Sequence, residues 1–191
     1  MVSSEPGAVL PGTLPELIAV ILPNLRAHFD PDRELDRQYL KFAEEVFEFL
    51  EAFDEWRLDE ARGRRHMAGE LSDAIITLHI CAAIIDVPVA PSVEQTPSLV
   101  AGAMVLKLAI AAGHVTGAYN RWAGHSRRYG PKTAIAEAIN IMADVTYATA
   151  ASLRIDLDDA WRDKASIILT RGWRDKAPAT ITDLLGDGDG C

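Results

Sequence analysis

Cysteine is scarce in this chain: Cys81 lies in an apolar run and Cys191 is the last residue. Two cysteines so placed support neither a disulfide framework nor a four-ligand zinc site, and a reducing cytosol is their natural compartment. Clustered positive charge is scarce too. Lys and Arg number 19 against 28 Asp and Glu, a formal net charge of -9. A nucleic-acid polymer needs many basic side chains set against its phosphates, so it is not an expected partner. A single nucleotide, held by one metal ion and a few cations, remains compatible. The apolar N-terminal stretch "LIAVIL" (17–22) is far too short to span a bilayer. That region also lacks the basic start of a signal peptide and is interrupted at Pro11, Pro15 and Pro23. The expectation is a cytoplasmic protein with no membrane partner. Strand-like alternation is rare, and no hairpin dipeptide separates two strand-like runs.

What is present is helical periodicity, in a chain of 191 residues that is 49% apolar and so able to build a substantial core. A short helix from about Leu14 docks on the domain. Asp30-Pro31-Asp32 starts a long helix that runs to about Glu60. "ARGRRHMAG" breaks or bends the pattern, and a second helix follows from about Met67 to Ile85. The proline-rich "VPVAPSVEQTP" (87–97) is a connector. Further helices are expected over about Ser98–Ala123, Thr133–Leu153 and from Asp156, a plausible N-cap. The resulting division is an N-terminal segment (1–30), an all-α domain (31–178) and a flexible C-terminal tail (179–191).

A faint internal repeat sets the expected architecture. "LKFAEEVFEFLEAFDEW" (40–56) lies over "LKLAIAAGHVTGAYNRW" (106–122), and "LSDAIITLHICAAI" (71–84) over "MADVTYATAASLRI" (142–155). The fold class read from this is all-α, a helical bundle built from a helix pair used twice, with halves at about 33–86 and 98–174. Chance likeness between helices is the competing reading. Where Glu44, Glu45, Glu48 and Glu70 stand in the first half, the second has Ile110, Ala111, His114 and Ile141. One acidic site per chain is therefore expected.

On a helical wheel, Phe42, Val46, Phe49, Leu50, Phe53 and Trp56 form an apolar face. Lys41, Glu44, Glu45, Glu48, Glu51 and Glu55 form a polar one, which taken alone reads as solvated. The next helix is apolar nearly all round and so reads as buried, yet it carries Glu70 and Asp73 at i and i+3 on one face. Two buried like charges require positive compensation. Lys41 or Arg65 would supply it as a structural ion-pair network. Alternatively, Glu45 and Glu48 face Glu70 and Asp73 as a cage of four hard oxygen ligands, suited to Mg²⁺ or Mn²⁺. His79 and His114 lie on apolar faces and read as core histidines. Trp56 and Trp122 read as core, although either could stack a base.

The pattern E-E-x-x-E, a spacer of about twenty residues, then E-x-x-D is present as Glu44-Glu45-Val46-Phe47-Glu48 and Glu70-Leu71-Ser72-Asp73. It resembles the all-α nucleoside triphosphate pyrophosphohydrolases: MazG-like enzymes, dCTP pyrophosphatases and dimeric dUTPases. Lys164 and Arg171, followed by Gly172-Trp173, resemble the late Lys, Arg and Gly-aromatic pair of the dimeric dUTPases. That family has Gly-Tyr, and asparagines near the Lys that are missing here, so the base assignment stays open. The likeness covers roughly residues 35–175.

The resemblance implies Mg²⁺-dependent hydrolysis of a (d)NTP, dUTP or dCTP first, to the monophosphate and pyrophosphate. Glu45, Glu48, Glu70 and Asp73 would hold the metal, with Glu48 or Glu44 activating water. Lys41, Lys164 and Arg171 would contact phosphates, and Trp173 the substrate. The basic loop, through Arg121, Arg127 and Arg128, is a second candidate for the triphosphate, against a solvated loop. Lys41 also reads as an intrahelical partner of Glu45, and Lys164 and Arg171 as ordinary surface charge. The family implies a homodimer or a dimer of dimers, its pocket closed by the neighbouring subunit. The alternatives are a broad MazG-like house-cleaning enzyme and a catalytically silent bundle that binds a nucleotide or protein.

Overall fold

The computed structural model describes residues 11–28, 31–90 and 100–171. Among these, all regular structure is helical: α1 (Leu14–His28), α2 (Pro31–Leu58), α3 (Glu60–Ile84), α4 (Ala101–Trp122), α5 (Lys132–Leu153) and α6 (Leu157–Arg171). The all-α bundle read from the sequence is the observed fold class. The expected tail, 179–191, lies outside the described residues.

Local sequence sets each start. Thr13 and Glu16 form a capping box: the Thr13 hydroxyl accepts from Glu16 N–H, and the Glu16 carboxylate accepts from Gly12 and Thr13 N–H. Leu14, Leu17, Ile18, Ile21 and Leu25 then recur on one face and are buried, which docks α1 on α3. Asp156 caps α6 as expected, its carboxylate accepting from Asp159 N–H at 3.0 Å. Asp86 (φ 55°) closes α3 in the left-handed region, with Val87 N–H returning to the Ala82 carbonyl at 2.9 Å.

The junction of α2 and α3 differs from expectation. "ARGRRHMAG" is helical, and the break falls at Asp59, between Leu58 and Glu60. The cause is Gly63. A Cβ there would lie 2.3 Å from Trp56 Cα, so glycine lets the two backbones close into a one-residue turn. Neighbouring pairs then run antiparallel along the hairpin, Trp56 by Gly63, Glu55 by His66 and Glu45 by Asp73.

Packing is centred on α3. It is paired closely with α2 and also touches α1, α5 and α6, while α4 pairs with α5. Two helix pairs are thus present, and their common descent rests on the sequence match alone. Helices α3 (over Gly63–Ile84) and α4 are both long and apolar enough to cross a membrane by length and composition. Within those windows α3 is 67% buried and α4 39%. That difference corrects one expectation: His79 on α3 is in the core, but His114 on α4 is exposed, because nothing among the described residues covers the outward face of α4.

Candidate functional site

The acidic face of α2 does not behave as one surface. Glu44 points to solvent, whereas Glu45 is only 5% exposed and turns toward α3. On α3, Glu70 and Asp73 share a face one turn apart. Ligand oxygens of Glu45, Glu70 and Asp73 come within 4.8 Å of one another. Glu48 stands outside that set but adjoins it, sharing a hydrogen-bonding contact with Glu45 and acting electrostatically on Glu70 and Asp73.

Each of the three acids has a partner. Lys41 Nζ lies 2.6 Å from Glu45 and 3.2 Å from Glu44. Lys164 Nζ, from α6, lies 2.5 Å from Asp73. His66 Nε2 is 3.3 Å from Glu70, and its Nδ1 is 3.1 Å from Glu55. The ion pairs anticipated as a competing reading are therefore present, with Lys164 and His66 in place of Arg65. They do not balance the site: among the described residues, Glu45, Glu48, Glu70 and Asp73 meet two ammonium groups, those of Lys41 and Lys164. Burial raises the Glu45 carboxyl to about 7 against the pull of Lys41, with the Asp73 charge adding to the rise. Burial also raises Glu70, helped by Asp73, and raises Asp73 against the pull of Lys164. Burial opposes the charge on Lys41, but hydrogen bonds to Glu45 and Glu44 outweigh it and hold the ammonium up at about 12.

An environment that raises three neighbouring carboxyls favours added positive charge, whether a proton or a cation. The donor set suits a hard divalent ion. Octahedral Mg²⁺ with oxygens at about 2.1 Å sets those oxygens roughly 3–4 Å apart, a small contraction from the observed cluster.

Beside the acids opens a cleft of about 530 Å³. Its polar end is Lys41, Glu44, Glu45 and Asp73. Its other walls are Ile21 and Leu25 of α1, Ile76 and Ile80 of α3, and Ile168 of α6, with Arg37 and Gln38 on α2.

The remaining expected contacts are placed less closely. Arg121 and Arg128 are exposed in and beside the loop after α4. That loop is anchored at the start of α2, where Asp36 accepts from Tyr119 and lies 3.0 Å from His125 Nε2. Asp36 precedes Glu45 by nine residues, about 14 Å along the helix. Arg171 ends α6, but its side chain is not among those described, and Trp173 lies outside the described residues. Sequence reasoning missed His66 and Gln38. The only signal for His66 was its place four residues before Glu70, and Gln38 sits seven before Glu45 on the same helical face. No family model, curated protein or solved structure matches this chain.

Proposed function

We propose that the protein is a Mg²⁺-dependent nucleotide pyrophosphohydrolase that cleaves a (d)NTP, dUTP or dCTP first, to the monophosphate and pyrophosphate. One observation carries this reading: carboxylates of Glu45, Glu70 and Asp73 converge from two helices, and two of them, Glu45 and Asp73, also line a cleft whose remaining walls are mostly apolar. A nucleoside triphosphate has the same two-ended character.

In this reading Glu45, Glu70 and Asp73 hold the ion, whose chemistry is to neutralise phosphate charge and acidify bound water. Glu48, half-buried beside them, orients the attacking water and accepts its proton. The water oxygen bonds to phosphorus, the bridge between the α and β phosphates breaks, and pyrophosphate leaves. Glu44 faces solvent and pairs with Lys41, so Glu48 is the better placed base of the two. Lys41 and Lys164 supply ammonium groups to the phosphates. Arg121 and Arg128 join only if the triphosphate extends toward the Asp36 end of α2. The dimer belongs to the same reading, with the outward face of α4 as the surface a second copy covers.

The test is pyrophosphate release from a panel of dNTPs and NTPs with Mg²⁺, Glu48→Gln and Asp73→Asn serving as controls. Release from one or two nucleotides, lost in both variants, is the expected result. Turnover spread evenly over many nucleotides would point to the broad MazG-like activity. The partnering of all three acids by Lys41, Lys164 and His66 favours a second reading, a silent nucleotide- or protein-binding bundle. No pyrophosphate from any nucleotide, with Asp73→Asn less stable than the parent because its pair with Lys164 is lost, would establish it.

A further inference from the structure

Gln38 occupies an unusual position in the cleft. Its residue is only 6% exposed, yet it lines the 530 Å³ space. Among the described residues, no hydrogen bond uses its side-chain amide. The amide is not one of the fully enclosed polar groups that lack a partner, so it meets the cleft and the water in it rather than a sealed core. A ligand entering the cleft displaces that water and must offer the amide a partner in its place.

The neighbours say what that would be. Gln38, Lys41, Glu45 and Glu48 fall at i, i+3, i+7 and i+10, one stripe along α2. Going along the helix, an amide is followed by an ammonium, then by the converging carboxylates. Gln38 and Glu45 are two turns apart, about 10 Å along the axis, comparable to the reach of a nucleoside from base edge to 5′-phosphate. Around the amide, Ile21, Leu25, Ile76, Ile80 and Ile168 supply flat apolar walls from three other helices. The other cleft groups are already engaged. Thr77 donates its hydroxyl to the Asp73 carbonyl at 2.7 Å, and Lys41 is paired with Glu44 and Glu45.

We infer that Gln38 is the group that reads the nucleobase, an inference that rests on the reading of the acidic cluster as a nucleotide site. A carboxamide presents one acceptor and two donors. It therefore matches a base edge carrying a donor and an acceptor side by side, such as N3–H with O4 of uracil, or N3 with the 4-amino group of cytosine. Ligands without such an edge leave the amide unpaired, and a buried unpaired group is what gives hydrogen-bonding sites their discrimination.

The experiment compares the parent with Gln38→Leu and Gln38→Glu in Mg²⁺. It measures kcat and KM for the preferred nucleotide, for its 3-methyl derivative, and for 2-deoxyribose 5′-triphosphate, which has no base. Binding of the hydrolysis-resistant α,β-methylene nucleotide is followed by calorimetry. The expected result is a ten- to hundredfold loss of kcat/KM in Gln38→Leu for the preferred nucleotide, carried by KM. The loss should shrink toward none for the base-free triphosphate, and the parent should reject the 3-methyl derivative more strongly than the variant does. Gln38→Glu, which keeps length and removes the donors, should invert preference toward the base offering the amino group. Equal losses on all three compounds would make Gln38 a packing residue, and unchanged selectivity would sink its assignment while leaving the hydrolase reading intact. If the parent neither binds nor turns over any nucleotide, the nucleotide reading fails and Gln38's role fails with it.

Discussion

Glu45 shows how one side chain separates the two readings of the cluster. Its carboxylate is buried against α3 and held up at about 7, chiefly by burial. A charge in that setting gains from a divalent ion and gains less from Lys41 alone, since an ammonium adds one charge where the cluster has two to spare. At roughly a hundred times its Kd, Mg²⁺ or Mn²⁺ should stabilise the fold by about 2.7 kcal/mol. Chelator should reverse this, and Glu45→Gln or Asp73→Asn should abolish it. Thermal unfolding with and without chelator reads the effect directly. In chelator at pH 8, Glu45→Gln should be no less stable than the parent, because it removes one of several crowded negative charges. A variant that unfolds several degrees lower under those conditions would mean that the Lys41 pair is the residue's purpose.

At the scale of the element, two predictions separate backbone from side chain. Gly63→Ala places a Cβ against Trp56 backbone at the α2–α3 turn and should cost several kcal/mol, at or above the usual range of about 1–3 for overpacking. Gly69→Ala, on the same helix with nothing within 4 Å of the added Cβ, should instead stabilise by about 0.4–1 kcal/mol. Denaturant midpoints at constant m-value decide both. The second prediction concerns His79, in the core of α3 with its Nε2 unpartnered. Burial lowers its pKa from 6.5 to about 4. The folded chain therefore binds this proton more weakly than the unfolded chain. Its contribution is whole above pH 6.5 and is lost as pH falls toward 4, by about 3 kcal/mol in all. The raised carboxyls of Glu45, Glu70 and Asp73 act in the opposite sense, so the quantity to measure is the parent minus His79→Leu difference between pH 7 and pH 4. Parallel stability curves for the two proteins would contradict the burial of this imidazole.

For the molecule as a whole, the uneven cover of its two most apolar helices is the main fact. Helix α3 is enclosed by α1, α2, α5 and α6, whereas α4 shows Leu106 and Ile110 at 62% and 50% exposure, one turn apart. On the proposed dimer reading, this exposed apolar face is the surface a second copy covers. The dimer reading predicts that replacing both Leu106 and Ile110 by Lys yields a monomer in sedimentation velocity, with helix content unchanged by circular dichroism. A parent that already sediments as a monomer would exclude α4 as a self-association surface at that concentration.

The sequence by itself determined the class of fold and the location of the acids. Helical periodicity and the scarcity of strand patterns decide the first, since period is a property of neighbouring residues alone. The i, i+3 spacing of Glu70 and Asp73 on an apolar helix marks the second, because burying two charges together needs compensation wherever the helix lies. The capping positions at Thr13 and Asp156 are local for the same reason. Only the tertiary structure decided that Glu45 turns inward while Glu44 turns out, since both occupy the polar half of the same wheel and only the approach of α3 tells them apart. Likewise, "ARGRRHMAG" reads as a break in the helical pattern, whereas its Gly63 lies within α3 and meets the Trp56 backbone, and His114 reads as core, whereas it is exposed on α4. Lys164 meets Asp73 across ninety-one positions of chain, and Gln38 reaches the cleft only because α1, α3 and α6 wall it. Such contacts depend on how helices pack on one another, which no spacing within a single helix records.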